Sequence, residues 1–454
     1  MMKKIVIFTM AVVIAAASAP VWAGGGKELK GMEILIGNFY SDWNDWDVNT
    51  FKPRTENEEK LLAQRKKLMQ EYNFVLKEKA ITDWSGMMQL AAISTMSGKP
   101  AADVFVVQSN WAMALRAQGL IATVGSGKTV NFKNPQPVAP GLMTVPWNKN
   151  TCDSFTFNGQ TYAFSIGGNV SNAQVVYFNK RLFREAGLDP NLPYDMQKDG
   201  TWTWDKFIDI CKRLTRDINN DGIIDTYAMT RDVSTEMLDA IVSSNGATYV
   251  DRDPKTGKFF NASGKPEFLE ALQYAIRLNN EGVLKPRPDN TNWDWFKSEF
   301  IDGKVAMQIN ESYVGGTELK QMKDDWGMVL FPKGPKSPTY RVFTRDNVMV
   351  IPSTKSADEV EKILWAVSMW YTPVDDDWKS AQYNLFRDSR AIDETLTLIR
   401  DEKLHMIKYF TYIQGLERGD IAWAMWYHDG DPAQLVESVS QSWNDLINQT
   451  NGLK

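Results

Sequence analysis

The sequence predicts an α/β protein made of two doubly wound lobes, and two observations lead there. Strand-like and amphipathic helical segments alternate from Met32 onward, the βαβ signature of a parallel sheet covered on both faces. At 454 residues the chain is also too long for a single hydrophobic core and comfortable for two or three domains, of which two lobes is the economical arrangement.

The first segment belongs to neither lobe. Met1, Met2, Lys3 and Lys4 precede an apolar run from Ile5 to Ala17, and the small-residue pattern Val21-Trp22-Ala23 stands before Gly24. This predicts a signal peptide over residues 1–23, cut after Ala23. The run of about 13 residues is short of the ~20 that a spanning helix needs. Gly24 follows the cut, where a lipid-anchored protein would present a cysteine. The expected product is soluble, and periplasmic or secreted.

Beyond the leader, MEILIG at Met32 to Gly37 reads as the first strand. A helix is predicted from about Asn57 to Tyr72, a strand in FVLKEKAI and a helix from about Gly86 to Met96. A buried strand in Asp103-Val-Phe-Val-Val and a helix from Trp111 to Gln118 follow. Asn158-Gly159 between two alternating stretches predicts a two-residue hairpin. After a strand from Ala173 to Phe178 and a helix from Asn179, Thr203 stands as the expected N-cap of a helix beginning at Trp204. Phe207, Ile210, Cys211 and Leu214 share one face of that helix at the spacing of a buried stripe. Cys211 is thus expected to be a small buried hydrophobe rather than a partner for Cys152, the only other cysteine. Two cysteines cannot frame a fold of this size.

The formal charge of -5 argues against a nucleic-acid partner, because phosphate binding needs a basic field. His405 and His428 are the only histidines and no Gly-x-Ser-x-Gly is present, so triads and zinc hydrolysis lack their usual base and no catalysis is expected. A secreted carbohydrate-active enzyme with a carboxylate pair stays open as an alternative. The 17 Trp, 15 Tyr and 21 Phe make 12% of the chain, and many of the tryptophans, Trp84 and Trp111 among them, sit beside polar or charged residues. A sugar ring has an apolar C–H face and a rim of hydroxyls, which suits flat aromatic faces with polar neighbours.

From Phe155 onward several segments fall in a telling order: FNGQTYAF, VVYFNKRLFREAGLDP and GTWTWDKFIDICKRLTRD, then FKSEFIDGKVAMQINESY, DDWGMVLFPKGP and DNVMVIPSTKSADEVEKILWAVSMW. This succession resembles the family 1 extracellular solute-binding proteins of ABC importers, the maltodextrin-binding type. The resemblance implies a periplasmic-binding-protein-like fold of type II, two α/β lobes joined by a multi-strand hinge with a ligand cleft between them. By analogy the chain crosses near Ser165 to Gly168 and again near Phe343 to Asn347. Residues 24–166 with about 345–390 would form one lobe, and 167–344 with about 391–454 the other. The implied function is capture of a sugar or small oligosaccharide by a monomer that delivers it to membrane permease subunits. A polyamine, a peptide or a phosphorylated polyol is the alternative ligand.

Parallel sheets present ligands at loops after their strands. The candidates there are Tyr40, Asp42, Trp43 and Asp45 after the first strand, and Gln108, Asn110 and Trp111 after the buried one. Asp42 and Asp45 read equally well as turn caps. Family position adds Asn172, Tyr313 as a sugar-stacking aromatic, and Trp423 and Trp426 in the C-terminal region. Asp217, Asn219, Asp221 and Asp225 place oxygen side chains at positions 1, 3, 5 and 9 of a calcium-type loop, with Gly222 at position 6. Ala228 stands where such a loop carries a bidentate Glu, so the reading divides between a structural Ca2+ and an Asx-rich turn.

Overall fold

The computed structural model describes residues 29–40, 45–125, 130–167, 172–231, 234–292, 295–345, 347–427 and 430–452. The predicted leader, Asp42, Trp43, Gly168 and His428 lie outside them.

In the first lobe the strand Met32–Asn38 pairs in parallel with both Phe74–Ala80 and Val104–Gln108. A strand from far along the chain, Asn347–Val350, joins antiparallel to Val104–Gln108. Side chains alternate across this sheet and divide between two cores. Val104 and Val106 join Ile34, Ile36 and Leu76 in a core closed by the helices Glu56–Glu71 and Ala357–Tyr371. Phe105 and Val107 face the other way, onto Met87 of the helix Trp84–Met96 and Ala112 and Met113 of the helix Ser109–Ala117. The helix Trp84–Met96 starts two residues earlier than its pattern predicts, because the Asp83 carboxylate accepts the Gly86 N–H at 2.8 Å and caps it. The predicted hairpin forms: Thr156–Phe157 pairs with Gln160–Thr161, with Asn158 at φ 50° and Gly159 at φ 77°.

The second lobe is centred on the strand Asn172–Asn179, which runs antiparallel to Met307–Glu311, Trp326–Leu330 and Val342–Arg345. Val342–Arg345 pairs in parallel with His405–Ile407, so this sheet is mixed. The helix Trp204–Leu214 buries Phe207, Ile210, Cys211 and Leu214, the predicted stripe. Both cysteines are free and buried, and burial pushes the Cys152 thiol up to about 12. Thr203 departs from expectation. It holds the N-cap position without a side-chain cap bond, and its carbonyl takes the Phe207 N–H at 2.9 Å.

Two adjacent segments join the lobes. Phe164 bridges Met349 on the first-lobe side, and Asn172 and Ala173 pair with Arg345 and Thr344 on the other. The strand pairing thus changes sheet between Arg345 and Asn347. A third passage lies between Asp375, held by the Asn57 amide at 2.9 Å, and Phe386, which packs edge-on to Trp326 at 6.3 Å. Beside the crossings the lobes touch directly. Arg252 of the second lobe donates to the carbonyls of Asp153, Ser154 and Thr156 at 3.1, 3.0 and 2.6 Å, and the Ser154 and Tyr412 hydroxyls lie 2.8 Å apart.

Candidate functional site

The parallel strands of the first lobe all end at one edge of the sheet, and their following residues meet there. Asn38 is fully buried, and its Oδ1 accepts the Tyr40 N–H at 3.0 Å, which fixes the turn out of the first strand. The Tyr40 hydroxyl accepts from Asn347 Nδ2 at 2.9 Å, tying the loop to the crossing strand. Trp111 stands in the first turn of its helix, edge-on to Phe39 at 5.7 Å and 69°. Trp84, the first residue of the helix after Phe74–Ala80, meets Trp111 at 5.4 Å and is 55% exposed. Asn110 is exposed beside them, and Gln108 pairs with Asn347. Asp45 serves the scaffold, accepting the Ala80 N–H at 2.7 Å at the end of the neighbouring strand Phe74–Ala80 rather than capping its own turn.

On the second lobe Asn172 opens the central strand at the crossing itself. Tyr313 lies just past the strand Met307–Glu311, in a turn at Ser312–Gly316, and is 47% exposed. A buried residue holds that turn: the Tyr177 hydroxyl donates to the Glu311 and Ser312 carbonyls and accepts the Gly315 N–H at 2.9 Å. A side chain at Gly315 would sit 2.6 Å from the Phe386 ring, so the close approach requires glycine there.

Trp423 and Trp426 share the helix Gly419–Tyr427 but not its face. Ile421, Ala422, Met425 and Trp426 form the buried stripe, whereas Trp423 is 56% exposed. The expectation that Trp426 contacts ligand is corrected: it is fully buried in the core, and its carbonyl accepts from Asn279 at 3.2 Å. Just before this helix, Arg418 grips the fully buried Asp239 through Nε and Nη2, both at 2.9 Å, with Lys408 at 3.4 Å. Burial raises the Asp239 carboxyl, but the Arg418 and Lys408 charges outweigh it and hold the group below its ordinary range.

The calcium-type loop is closed by its own backbone. The Asp217 carboxylate accepts from the Asp221 and Gly222 N–H groups, Asn219 from Asp221, Asp221 from Ile223, and Asp225 from Ile218, at 2.7 to 3.2 Å. Among the described residues no three His, Cys, Asp or Glu side chains are placed together to hold a metal ion. Ala228, at the twelfth position, is fully buried. His405 sits half-buried with Nε2 against the Ile399 carbonyl, and burial lowers its pKa.

Sequence reasoning missed Phe39, Trp84 as a site residue, and Asn347. Trp84 carried a readable signal, since it follows the second parallel strand as Trp111 follows the third. Asn347 carried none, because its partner lies far away in sequence.

The family described as bacterial extracellular solute-binding proteins matches residues 71–391. No curated protein sequence matches the chain. Similar solved structures include the cyclic α-maltosyl-1,6-maltose binding protein of Arthrobacter globiformis, at 13% identity and TM-score 0.64, covering 92% of this chain and 100% of that one. A Listeria monocytogenes ABC substrate-binding protein in complex with cycloalternan shares 16% identity at TM-score 0.57, over 93% and 100% of the two chains. UgpB from Mycobacterium tuberculosis in complex with glycerophosphocholine shares 14% at TM-score 0.59, over 92% and 98%. At these identities the likeness establishes the fold, a periplasmic-binding-protein-like pair of α/β lobes. Among the described residues no helix is long and apolar enough to cross a membrane.

Proposed function

We propose that this chain, which belongs to the bacterial extracellular solute-binding proteins, is the substrate-binding component of an ABC importer and captures a sugar or small oligosaccharide by lobe closure. The observation that carries the reading is the set of exposed or half-exposed aromatic rings at strand ends on both lobes: Tyr40, Trp84 and Trp111 on one, Tyr313 on the other. Such rings stack on the apolar face of a pyranose, while Asn110 and Asn172 supply polar groups for its hydroxyls. Ligand contacts made from both lobes favour the closed arrangement, and the closed arrangement is what permease subunits recognise. The protein acts as a secreted or periplasmic monomer, freed by cleavage after Ala23, and performs no catalysis.

Support for the sugar comes from relatives of the same fold whose ligands are cyclic maltosyl-maltose and cycloalternan. Glycerophosphocholine in UgpB keeps a phosphorylated polyol as the second reading. The test is intrinsic tryptophan fluorescence and melting temperature across mono- and oligosaccharides, polyamines and glycerophosphodiesters. A saccharide response is expected. A response confined to the last two classes would move the assignment, and new reducing ends from a polysaccharide would replace capture with hydrolysis. A structural Ca2+ at Asp217, Asn219, Asp221 and Asp225 completes the proposal, supported by the oxygen spacing alone.

A further inference from the structure

The geometry points to Trp84 as the residue that reads saccharide length, stacking on a second ring beyond the one taken by Tyr40 and Trp111. This rests on the sugar reading and adds to it the requirement that the preferred ligand has at least two rings.

Four aromatic rings are in successive contact, beginning with Tyr40 beside the crossing strand. Tyr40, bonded to Asn347 of the crossing strand, lies 5.1 Å from Phe39. Phe39 lies 5.7 Å from Trp111, and Trp111 lies 5.4 Å from Trp84. The strand order explains how these residues meet: Phe74–Ala80 and Val104–Gln108 flank Met32–Asn38, so the helices that follow them bring Trp84 and Trp111 together above the end of the middle strand. One pyranose covers one aromatic face, so Trp84, a separate ring from Tyr40 and Trp111, offers a face for another sugar.

Nothing in the scaffold calls for tryptophan at the outer end. The helix start is secured by Asp83, which accepts from Gly86 and from the Ser85 hydroxyl, both at 2.8 Å. Trp84 belongs to neither hydrophobic core, and its described ring contact is with Trp111. More than half of the largest apolar side chain is left in water, whereas Trp111 is half-buried. Asp83 and Ser85, both exposed, rim the ring with oxygens suited to hydroxyls. An aromatic plane with a polar rim, set beyond the inner rings, is a platform for the next sugar in a chain.

The experiment uses the mature chain and calorimetric titration with α-1,4-glucans and β-1,4-mannans of one to four rings. Wild type is expected to bind two or more rings more tightly than one. Trp84→Ala is expected to remove that gain, about tenfold from one aromatic stacking contact, so that longer saccharides lose more affinity than the monosaccharide does. Trp84→Phe is expected to retain most of it. An equal loss for one ring and for several, or an unchanged length dependence in Trp84→Ala, overturns the inference while capture of sugar stands. Wild type that prefers monosaccharides overturns it as well. Wild type that binds none of the series shows that the sugar reading has failed, before any variant is made.

Discussion

Arg252 offers a direct measure of how firmly the lobes hold each other outside the crossing strands. Its guanidinium reaches from the strand Val250–Arg252 to three first-lobe carbonyls and lies 4.7 Å from the Phe157 ring and 5.5 Å from Phe259. Arg252→Ala removes three charge-assisted hydrogen bonds, and the carbonyls of this half-buried edge regain water in exchange. The net cost is about 2–4 kcal/mol, with cation–π contact included. Because the bonds join one lobe to the other, the loss also falls on the equilibrium between lobe arrangements. Each ~1.4 kcal/mol of it is a tenfold change in population. The assay pairs thermal melting with small-angle scattering of the ligand-free protein. A melting temperature lower by several degrees and a changed radius of gyration are expected, with Arg252→Lys intermediate because one ammonium cannot span three carbonyls. A lowered melting temperature with unchanged scattering and ligand affinity would refute the coupling, and an unchanged melting temperature would refute the contact's worth.

Three further outcomes follow from the same contacts. Arg65 lies between Trp46 and Trp370, at 4.2 and 3.9 Å from their rings, and beside the Glu78 carboxylate, whose pKa is raised by desolvation despite the Arg65 charge. A raised carboxylate adds stability that is complete below its unfolded pKa and is lost as pH rises through the folded value, so Arg65→Met, which raises Glu78 further, should cost more at pH 8 than at pH 5 in denaturant titrations. Trp423→Ala should weaken ligand binding and spare the melting temperature, whereas Trp426→Ala should open a core cavity and cost about 3–5 kcal/mol of stability; calorimetry of both variants distinguishes the two roles. Calcium should raise the melting temperature and chelator lower it, with Asp221→Asn blunting both. A flat response would leave the Asp217–Asp225 loop to its backbone bonds.

Elements of both lobes were legible because strands and helices carry different periods. Ile34 and Ile36 enter one core while Leu35 between them packs against the other, whereas the helix from Trp204 repeats at three and four, and each pattern reflects which face meets a core. Asn158-Gly159 was legible because only such a pair accepts two left-handed residues in a tight hairpin. The antiparallel setting of Asn172–Asn179 was not, since its neighbours come from residues 307 to 345 and pairing direction leaves no trace in a buried run. Trp423 and Trp426 show the same limit on a smaller scale. Both lie in an apolar helix, and only its seating against the rest of the lobe decides which faces water.

That limit bears on how the site itself is made. Tyr40, Trp84 and Trp111 each follow a different parallel strand, and their meeting depends on strand order, which places the second and third strands on either side of the first. Asn347 reaches Tyr40 only because the chain returns through the hinge to pair with Val104–Gln108. The Asn347–Tyr40 bond therefore links a ring at the strand-end edge of the first lobe to the strand that follows the crossing. In the proposed closure, a ligand stacked on Tyr40 would therefore bear on the strand that follows the crossing, which would couple lobe arrangement to what the first lobe holds.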